Sequence, residues 1–306
     1  MAERFRYDVA GLIIDSSFVI PEARPANLHA TDCVVDLAPL ETPLASDPGD
    51  SWIHIERHGS TMSLRFAEMA LFELSAHGDR VVCRSATGVP DETIRHFLLD
   101  HVIPRILVQR GLVVLHASAV ATTHGAVGFC GITGVGKSTL AGSFALTGAS
   151  LLADDAFVIE ETSRGPEARP TYPGFRLWPD NVQAVVGSEA AGGPVAHYTK
   201  KRRIGPTDVS PEAFALARCP VARVFMLETG PEISIQPIGE RDAFLALSKH
   251  AFRLDINDMK SVASSFDVLS RSGLLRLCST LRYPRVHERL PEVRAAIQKE
   301  IAGFQA

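Results

Sequence analysis

Residues 131–139 read Gly-Ile-Thr-Gly-Val-Gly-Lys-Ser-Thr, and these residue types at this spacing can bind a phosphate chain. They satisfy the pattern G-x-x-x-x-G-K-[ST], in which Lys137 and Ser138 follow the last glycine. The glycines allow a tight loop whose backbone N–H groups point at an anion, Lys137 can reach the β- and γ-phosphates, and the Ser138 hydroxyl can ligate Mg²⁺. The residues predicted to contact a nucleoside triphosphate are Gly131, Ile132, Thr133, Gly134, Val135, Gly136, Lys137, Ser138 and Thr139.

Two adjacent carboxylates, Asp154 and Asp155, interrupt an apolar, strand-like run over 151–160. Acids in an apolar run cost desolvation free energy unless a cation compensates them, and a metal ion beside a phosphate chain would do so. We therefore predict that Asp154 ligates Mg²⁺, directly or through water, and that Asp155 accepts a hydroxyl proton. The roles of the two acids stay interchangeable here, because adjacent strand residues face opposite ways. The alternative is a solvated turn that the two acids merely cap.

His116 lies in another apolar run, over 111–122, which a turn at 123–125 joins to the run 126–130 before the glycine loop. This pattern predicts a hairpin in which the strand that carries His116 pairs with the strand that enters the loop. A lone histidine in an apolar strand is usually a core residue, so the pattern by itself gives His116 no catalytic role.

Together these motifs resemble the catalytic domain of HPr kinase/phosphorylase, the bacterial serine kinase of the phosphotransferase system. That family's pattern is a Leu-His strand, a hairpin, a G-x-x-G-x-G-K-S loop, one helix and a strand bearing Ala-Asp-Asp. This chain has Leu115-His116, the loop at 131–138 and Ala153-Asp154-Asp155 in that order and at matching spacing. The resemblance spans about 110–160. It implies an α/β P-loop kinase core akin to phosphoenolpyruvate carboxykinase, a mixed sheet with flanking helices, that binds ATP and Mg²⁺ and transfers the γ-phosphoryl to a protein serine.

The resemblance also implies roles for single residues. His116, Asp154 and Asp155 match the family's catalytic histidine and aspartate pair. We predict Asp155, His116 and Lys137 as catalytic residues, with His116 orienting or polarising Asp155, and Ser138 and Asp154 as the residues that position Mg²⁺. HPr kinases assemble as hexamers, so a homo-oligomer is compatible with the resemblance.

The chain departs from that family after residue 160. We find neither the family's Gly-rich segment after the acids nor its Arg-Asn signature; the segment 172–178 and the basic run 200–203 stand in their place. These departures argue against the family's reverse, phosphorylase reaction and against HPr as the acceptor. The layout is more similar to a divergent subgroup of HPr-kinase-like proteins, some of which phosphorylate a serine of a lasso-peptide precursor. Two other functions stay open: a kinase for a small-molecule alcohol, and a non-catalytic ATP-sensing module.

The basic run Lys200-Lys201-Arg202-Arg203 lies in a polar stretch, 187–206, that has no hydrophobic periodicity. It is either a solvated surface loop or a flap that closes over ATP and neutralises the transferring phosphoryl group. One basic tetrad in a chain of net charge −4 is no basic face, so nucleic acid is not an expected partner.

Composition is typical of a globular enzyme: 306 residues with 46% hydrophobic and 22% charged residues. Five scattered cysteines without a C-x-x-C pair favour reduced thiols and a cytoplasmic location. The only apolar N-terminal stretch, 9–14, is too short for a signal peptide or a membrane span, so no membrane partner is expected.

The chain divides near residue 90 into a predicted β-rich domain, 1–90, and a P-loop catalytic domain, 91–306. Turn residues bound the short apolar runs of the first part, and the segment 45–51 is a loop by composition. A helix is predicted after Pro90, bent or split by Pro104. The predicted strands are 6–14, 32–37, 52–57, 61–66, 71–74, 80–84, 221–227, 233–237 and 274–282; the further helices are 137–147, 240–252, 258–272 and 291–304.

Overall fold

The computed structural model describes residues 3–27, 30–44, 52–59, 61–253 and 259–303, and within them the chain has a mixed α/β architecture. The loop predicted at 45–51 lies outside the described residues, as do position 258 and position 304 at the ends of two predicted helices.

The N-terminal part is one eight-stranded sheet of order β3-β1-β2-β4-β8-β7-β6-β5. Alternation places one side of each strand in the core, as in β6, where Met62, Leu64 and Phe66 are buried. The run predicted as one strand over 6–14 is a hairpin, because Ala10 and Gly11 both adopt positive φ (56° and 79°) and turn the chain. The strands are β1 Phe5–Val9, β2 Leu12–Ser16, β3 Arg24–Pro25, β4 Cys33–Ala38, β5 Ile53–His58, β6 Thr61–Phe66, β7 Ala70–Leu74 and β8 Arg80–Ser85.

A long helix follows and covers this sheet. It comprises α1 (Asp91–Phe97), a wider π-helical turn (Leu98–Val102) and α2 (Ile103–Gln109). Of the two predicted effects of Pro104, bending or splitting the helix, the splitting does not occur: the proline stands in the first turn of α2, directly after the π-helical turn. The apolar residues of the helix, from Ile94 to Leu107, join the core of the N-terminal sheet.

The remaining strands build a nine-stranded mixed sheet and a small three-stranded sheet. Along the main path the larger sheet has the order β12-β10-β11-β18-β14-β13-β9, with β20 pairing to both β18 and β19; the smaller sheet has the order β15-β17-β16. The strands are β9 Val113–Leu115, β10 Ala117–Thr122, β11 Gly125–Cys130, β12 Ser150–Ala153, β13 Phe157–Thr162, β14 Gly165–Arg169, β15 Phe175–Leu177, β16 Gly193–Pro194, β17 Arg202–Ile204, β18 Cys219–Thr229, β19 Ser234–Pro237 and β20 Cys278–Tyr283.

Five more helices flank these sheets. Helices α3 and α7 contribute to one apolar core and α5 and α6 to another, so the larger sheet separates two layers of helices. They are α3 Lys137–Ala145, α4 Pro179–Val186, α5 Glu240–His250, α6 Met259–Arg271 and α7 Leu290–Gly303. No helix among the described residues has the length and apolar character needed to cross a bilayer.

Two of the predicted strands are interrupted, and the interruptions meet. The run 111–122 divides at His116 into β9 and β10, and the run 151–160 divides at Asp154-Asp155 into β12 and β13. Strand β10 pairs with β12, whereas β9 pairs with β13. Both runs therefore change pairing partner at their interruptions, which lie at the same level of the sheet. Position 274–277 is likewise a 3₁₀ turn before β20 instead of strand.

Candidate active site

The glycine loop joins β11 to α3 and leaves the sheet at the edge where the parallel neighbour of β11, β18, and the next parallel strand, β20, also end. Ligands of α/β sheets bind at the carboxyl ends of such strands. Gly134 and Gly136 take positive φ (82° and 109°), a conformation that favours glycine. A Cβ on Gly136 would lie 2.6 Å from the Tyr283 hydroxyl, so this position has no room for a side chain. The loop therefore presents its backbone and the amino end of α3 to a cleft.

Lys137 folds over the loop. Its Nζ donates to the carbonyl oxygens of Gly131 (3.0 Å) and Ile132 (3.3 Å), and the residue is buried. Burial lowers the pKa of Lys137, and Asp155 and Asp154 act against that shift. A desolvated ammonium held only by carbonyl oxygens gains from an anion placed beside it.

A cleft lies over this loop, and we call it the loop cleft; it encloses about 210 Å³. Of the nine loop residues predicted to contact a nucleotide, Gly131, Ile132 and Val135 are not among its lining residues. Three residues that the sequence reading passed over, Trp178, Asn181 and Arg285, also line it. Arg285 follows β20, which ends at the same edge of the sheet as β11. The loop residues that line the cleft are Thr133, Gly134, Gly136, Lys137, Ser138 and Thr139.

Asp155 is the member of the acid pair that faces the loop cleft. It occupies the turn between β12 and β13 with φ +63°, a left-handed conformation that aspartate tolerates better than most residues, and 19% of its side chain is exposed. One carboxylate oxygen lies 3.3 Å from the Arg176 guanidinium. Burial alone would raise the pKa of Asp155, but Arg176, His116 and Lys201 outweigh it and lower that pKa to about 2. Asp155 is therefore ionised at neutral pH.

Asp154 points the other way, into the protein. Its side chain is fully buried, and both oxygens have protein partners. Oδ1 accepts from the Ser118 hydroxyl at 2.5 Å, and Oδ2 accepts from the Arg176 backbone N–H at 2.8 Å. Asp154 does not line the loop cleft. Its predicted role as a metal ligand stays a prediction, and these partners favour a positioning role instead.

His116 holds the turn that carries Asp155. Its Nδ1 lies 3.1 Å from the Asp155 carbonyl oxygen, and because a carbonyl only accepts, Nδ1 carries the proton. The same nitrogen is 3.9 Å from the Asp155 carboxylate, and the His116 backbone N–H donates to the carbonyl of His250 at 2.6 Å. The structure thus brings His116, Asp155 and Lys137 to one cleft.

Arg176 is the buried centre of the site, and the sequence analysis did not single it out. Its guanidinium forms ion pairs with Asp100, Asp154 and Asp155. Burial opposes its charge, but these acids raise the pKa of Arg176 well above its ordinary value. Asp100 also contacts His96 and the Tyr172 hydroxyl, which closes the network. The sequence did contain a signal for Arg176: this arginine lies between the apolar residues Phe175 and Leu177, two positions before Trp178.

The four residues of the basic run 200–203 lie in different environments, so the run is neither entirely a solvated loop nor entirely a flap over the cleft. Arg203 is buried and pairs with Glu22 at 2.7 Å, and Arg202 donates to the carbonyl oxygens at 190–192. Lys201 lines the loop cleft, and its Nζ lies 5.8 Å from the centre of the Trp178 ring. Lys200 is exposed.

A second cavity of about 460 Å³ adjoins the loop cleft, and we call it the aromatic cavity. Trp52 and Tyr198 stand at its rim, and His96 and His101 of the long helix form its wall. The two cavities share the residues His116, Thr133, Asp155, Arg176 and Lys201. Asp155 therefore stands at the junction of the two cavities.

The donor atoms in the loop cleft suit a hard divalent cation. The Ser138 hydroxyl and the Asp155 carboxylate both line this cleft, and Mg²⁺ prefers such oxygen ligands in small numbers beside substrate phosphates. No group of three or more histidine, cysteine or acidic side chains that could hold a metal ion occurs within the described part of the chain. A phosphate-assisted Mg²⁺ site fits these residues, and an all-protein metal cage does not.

No protein-family model matches the chain, and no curated protein matches it. Among solved structures it shows a weak structural resemblance to the HPr(Ser) kinase/phosphatase from Coxiella burnetii, at 13% identity and a TM-score of 0.35. The aligned region covers 63% of this chain and 99% of that chain. At this level of likeness, the activity has to be inferred from the residues of the cleft.

Proposed function

We propose that the protein is an ATP- and Mg²⁺-dependent kinase that phosphorylates a serine hydroxyl of a peptide or protein. One observation carries the proposal: an ionised carboxylate, Asp155, stands where the loop cleft meets a second cavity. A phosphate donor in the first cavity and a hydroxyl in the second would meet at this carboxylate.

The transfer balances with these two substrates alone. The bond between the γ-phosphorus and the β,γ-bridging oxygen breaks, a bond from the acceptor oxygen to the γ-phosphorus forms, and ADP leaves with the bridging oxygen. The hydroxyl proton passes to Asp155. Arg176, His116 and Lys201 lower the pKa of Asp155, so its carboxylate is ionised and has an oxygen that can accept the proton. Positioning and charge neutralisation supply most of the rate in such transfers.

Each residue of the loop cleft then has a task. The loop backbone and Lys137 bind the β- and γ-phosphates, and Lys201, which lines the same cleft, neutralises charge on the transferring group. Ser138 and Asp155 would hold Mg²⁺, which when bound screens the charge of the phosphates. Arg176, Asp154 and His116 fix the position of Asp155.

The two alternative functions fit the cavities less well. A small polar alcohol would favour a compact polar pocket, whereas the second cavity has an aromatic rim that is half exposed. A module that only senses ATP needs the loop and no carboxylate at the junction. Asp155 is costly to keep there, because the fold dedicates a buried arginine and a left-handed turn to it.

The test is phosphoryl transfer by the full-length protein. We expect it to transfer label from γ-labelled ATP, in the presence of Mg²⁺, to serine in a library of synthetic peptides read by mass spectrometry. Lys137→Met should reduce transfer at least about 100-fold by removing the phosphate-binding ammonium, while Lys249→Met, an exposed lysine of α5, should leave it within about twofold. Calorimetric ATP binding without transfer to any peptide or small alcohol would make the protein a sensor and contradict the proposal.

A further inference from the structure

The aromatic cavity has walls that select for a particular kind of acceptor. Trp52 comes from the chain before β5, Tyr198 from the segment before β17, and the long helix stands behind both. The Trp52 ring meets the His101 ring edge-on at 5.1 Å, and the Tyr198 ring stacks on Phe97 at 5.9 Å. These packing contacts fix two large rings at the rim of a cavity before any ligand arrives.

Both rings remain accessible. Trp52 is 45% exposed and Tyr198 is 44% exposed, although each contacts aromatic neighbours on one side. Their centroids are 6.0 Å apart with planes tilted by 52°, so a third ring does not fit between them but can lie against them. Aromatic surface held in this way around a cavity is typical of ligand sites.

The cavity wall offers no open charge away from the junction with the loop cleft. Asp100 is buried, with its oxygens on His96, Tyr172 and Arg176. Burial, with a smaller effect from His96, lowers the pKa of His101 to about 3, so its imidazole is neutral at physiological pH. Among the described residues that line the cavity, Lys201 and Asp155 are the charged side chains that are not enclosed by the buried ion pairs around Arg176. Both lie at the junction of the two cavities.

We infer that the aromatic cavity is the acceptor site, and that it takes an uncharged segment in which a large aromatic side chain stands next to the hydroxyl-bearing residue. This inference rests on the proposed kinase function, and it names the acceptor that this function requires. The hydroxyl would reach Asp155 at the junction, and the neighbouring ring would pack on Trp52 and Tyr198 at the rim. The N-terminal sheet would thereby contribute directly to substrate choice.

The protein's two tryptophans make the inference testable, because Trp52 stands on the aromatic cavity and Trp178 on the loop cleft. Trp178→Phe leaves Trp52 as the only indole reporter of the acceptor site, and Trp52→Phe leaves Trp178 as the reporter of the nucleotide site. Both side chains are 45% exposed, so neither change leaves a cavity in the core. The probes are the blocked dipeptides acetyl-Phe-Ser-amide, acetyl-Ala-Ser-amide and acetyl-Glu-Ser-amide, with 2-phenylethanol as a free aromatic alcohol.

In full-length Trp178→Phe, we expect acetyl-Phe-Ser-amide to change Trp52 emission saturably and to bind about tenfold more tightly than the alanine and glutamate probes. Adding Tyr198→Ala should reduce this preference to less than about threefold, whereas Leu216→Ala, an exposed side chain outside the cavity, should preserve it. Equal affinity for the phenylalanine and alanine probes, or a preference that survives Tyr198→Ala, would overturn the inference. Binding of 2-phenylethanol as tight as that of the dipeptide would assign the site to small alcohols and overturn its peptide form.

Failure of the kinase proposal gives a different result. ATP should change Trp178 emission in Trp52→Phe; no response there, with the phenylalanine preference intact in Trp178→Phe, would remove the kinase and keep a peptide-binding cavity. An ATP response without the phenylalanine preference would keep the nucleotide site and remove this acceptor site.

Discussion

Asp154 and Asp155 are identical side chains at adjacent positions, and the fold gives them opposite surroundings. The left-handed turn at Asp155 directs its carboxylate to the junction of the two cavities, where it keeps some contact with solvent. Asp154 ends β12 and is buried among Ser118 and Arg176. The two residues should therefore fail in different ways when they are altered.

Asp155→Asn tests the proton acceptor. We expect it to lower the rate of phosphoryl transfer at least about 100-fold, since an amide cannot accept the hydroxyl proton, and to change the affinity for ATP measured without Mg²⁺ by no more than about threefold. Steady-state transfer and calorimetric ATP binding measure the two quantities. Asp267→Asn, an exposed acid of α6, is the matched control. Full transfer activity in Asp155→Asn would remove this residue from the chemistry.

Asp154→Asn tests the buried partner. We expect it to lower the free energy of unfolding by about 3 kcal/mol, because Arg176 loses a buried counter-charge and its backbone N–H faces an amide. Urea unfolding followed by circular dichroism measures the change. If the variant unfolds like the wild type but requires far more Mg²⁺ for transfer, Asp154 is a metal ligand and not a positioning residue.

Because His101 is buried, we predict that the free energy of unfolding depends on pH. Because burial lowers its folded-state pKa to about 3, the unfolded chain binds a proton below its ordinary pKa of about 6.5 while the native protein does not. His101 therefore makes stability fall as pH decreases from about 6.5 towards 3, by at most about 1.4 kcal/mol per pH unit. We expect His101→Asn to flatten the dependence of unfolding free energy on pH between 6.5 and 4. His77→Asn, an exposed histidine, should leave the slope as it is.

At the scale of elements, the site depends on where strands are interrupted. The apolar pattern of the sequence predicts β9 and β10 as one strand, and β12 and β13 as another. Each run pairs with a different partner on either side of its break, and the breaks place His116 against Asp155. The interrupted strands thus carry the candidate catalytic groups, which a continuous, evenly paired strand would bury or direct away from the cleft.

Strand β17 shows how an element selects among like residues. Arg202 and Arg203 begin β17 and, as successive strand residues, point to opposite sides, whereas Lys200 and Lys201 lie directly before the strand. Arg203 fixes the strand through its ion pair with Glu22, which also pairs with Arg95 of α1. Lys201 is thereby held at the junction, and Lys200 is left in solvent.

The neighbouring lysines of this run form a matched pair for mutagenesis. We expect Lys201→Met to reduce kcat about 10- to 1000-fold, since a cation over the transferring phosphoryl group acts mainly on the transition state. Lys200→Met should change kcat less than about twofold. Both are measured by single-turnover transfer from ATP. Equal effects of the two substitutions would mean that only the net charge of the run matters.

At the scale of the whole molecule, the helix over 91–109 links the N-terminal sheet to the rest of the chain. The apolar residues of this helix pack in the core of the N-terminal sheet, together with residues such as Val158 and Tyr172 from the later part of the chain. The long helix also supplies Asp100 to Arg176. The division into domains at residue 90 stays a prediction, and it would cut through this shared core.

A fragment experiment measures that coupling. We expect the chain 91–306, expressed alone, to aggregate or to unfold without a cooperative transition, because the apolar side of the helix loses its cover. Co-expression with residues 1–90 should restore a soluble complex in size-exclusion chromatography. A monomeric 91–306 fragment that unfolds cooperatively and binds ATP would show that the two parts are independent domains.

Local sequence signals were sufficient for much of this fold. The apolar alternation and turn residues predicted most N-terminal strands, and the glycine loop with its following helix was recognisable from spacing alone, because loop and helix depend on contacts within about ten residues. The sequence also identified Lys137, Asp155 and His116 as candidates, and the structure places all three at one cleft.

The tertiary structure determined which side chains contact each other in and around the candidate site. Asp154 is held by Ser118 and Arg176, and Arg176 by Asp100, residues distant in sequence whose pairing exists only once the sheets are packed. The aromatic cavity likewise needs Trp52 from the segment before β5 and Tyr198 from the segment before β17. Residue types and spacing fix which chemistry a chain can perform. Long-range packing fixes which of two identical acids faces the loop cleft, because side-chain direction and burial are properties of the assembled layers and not of the local chain.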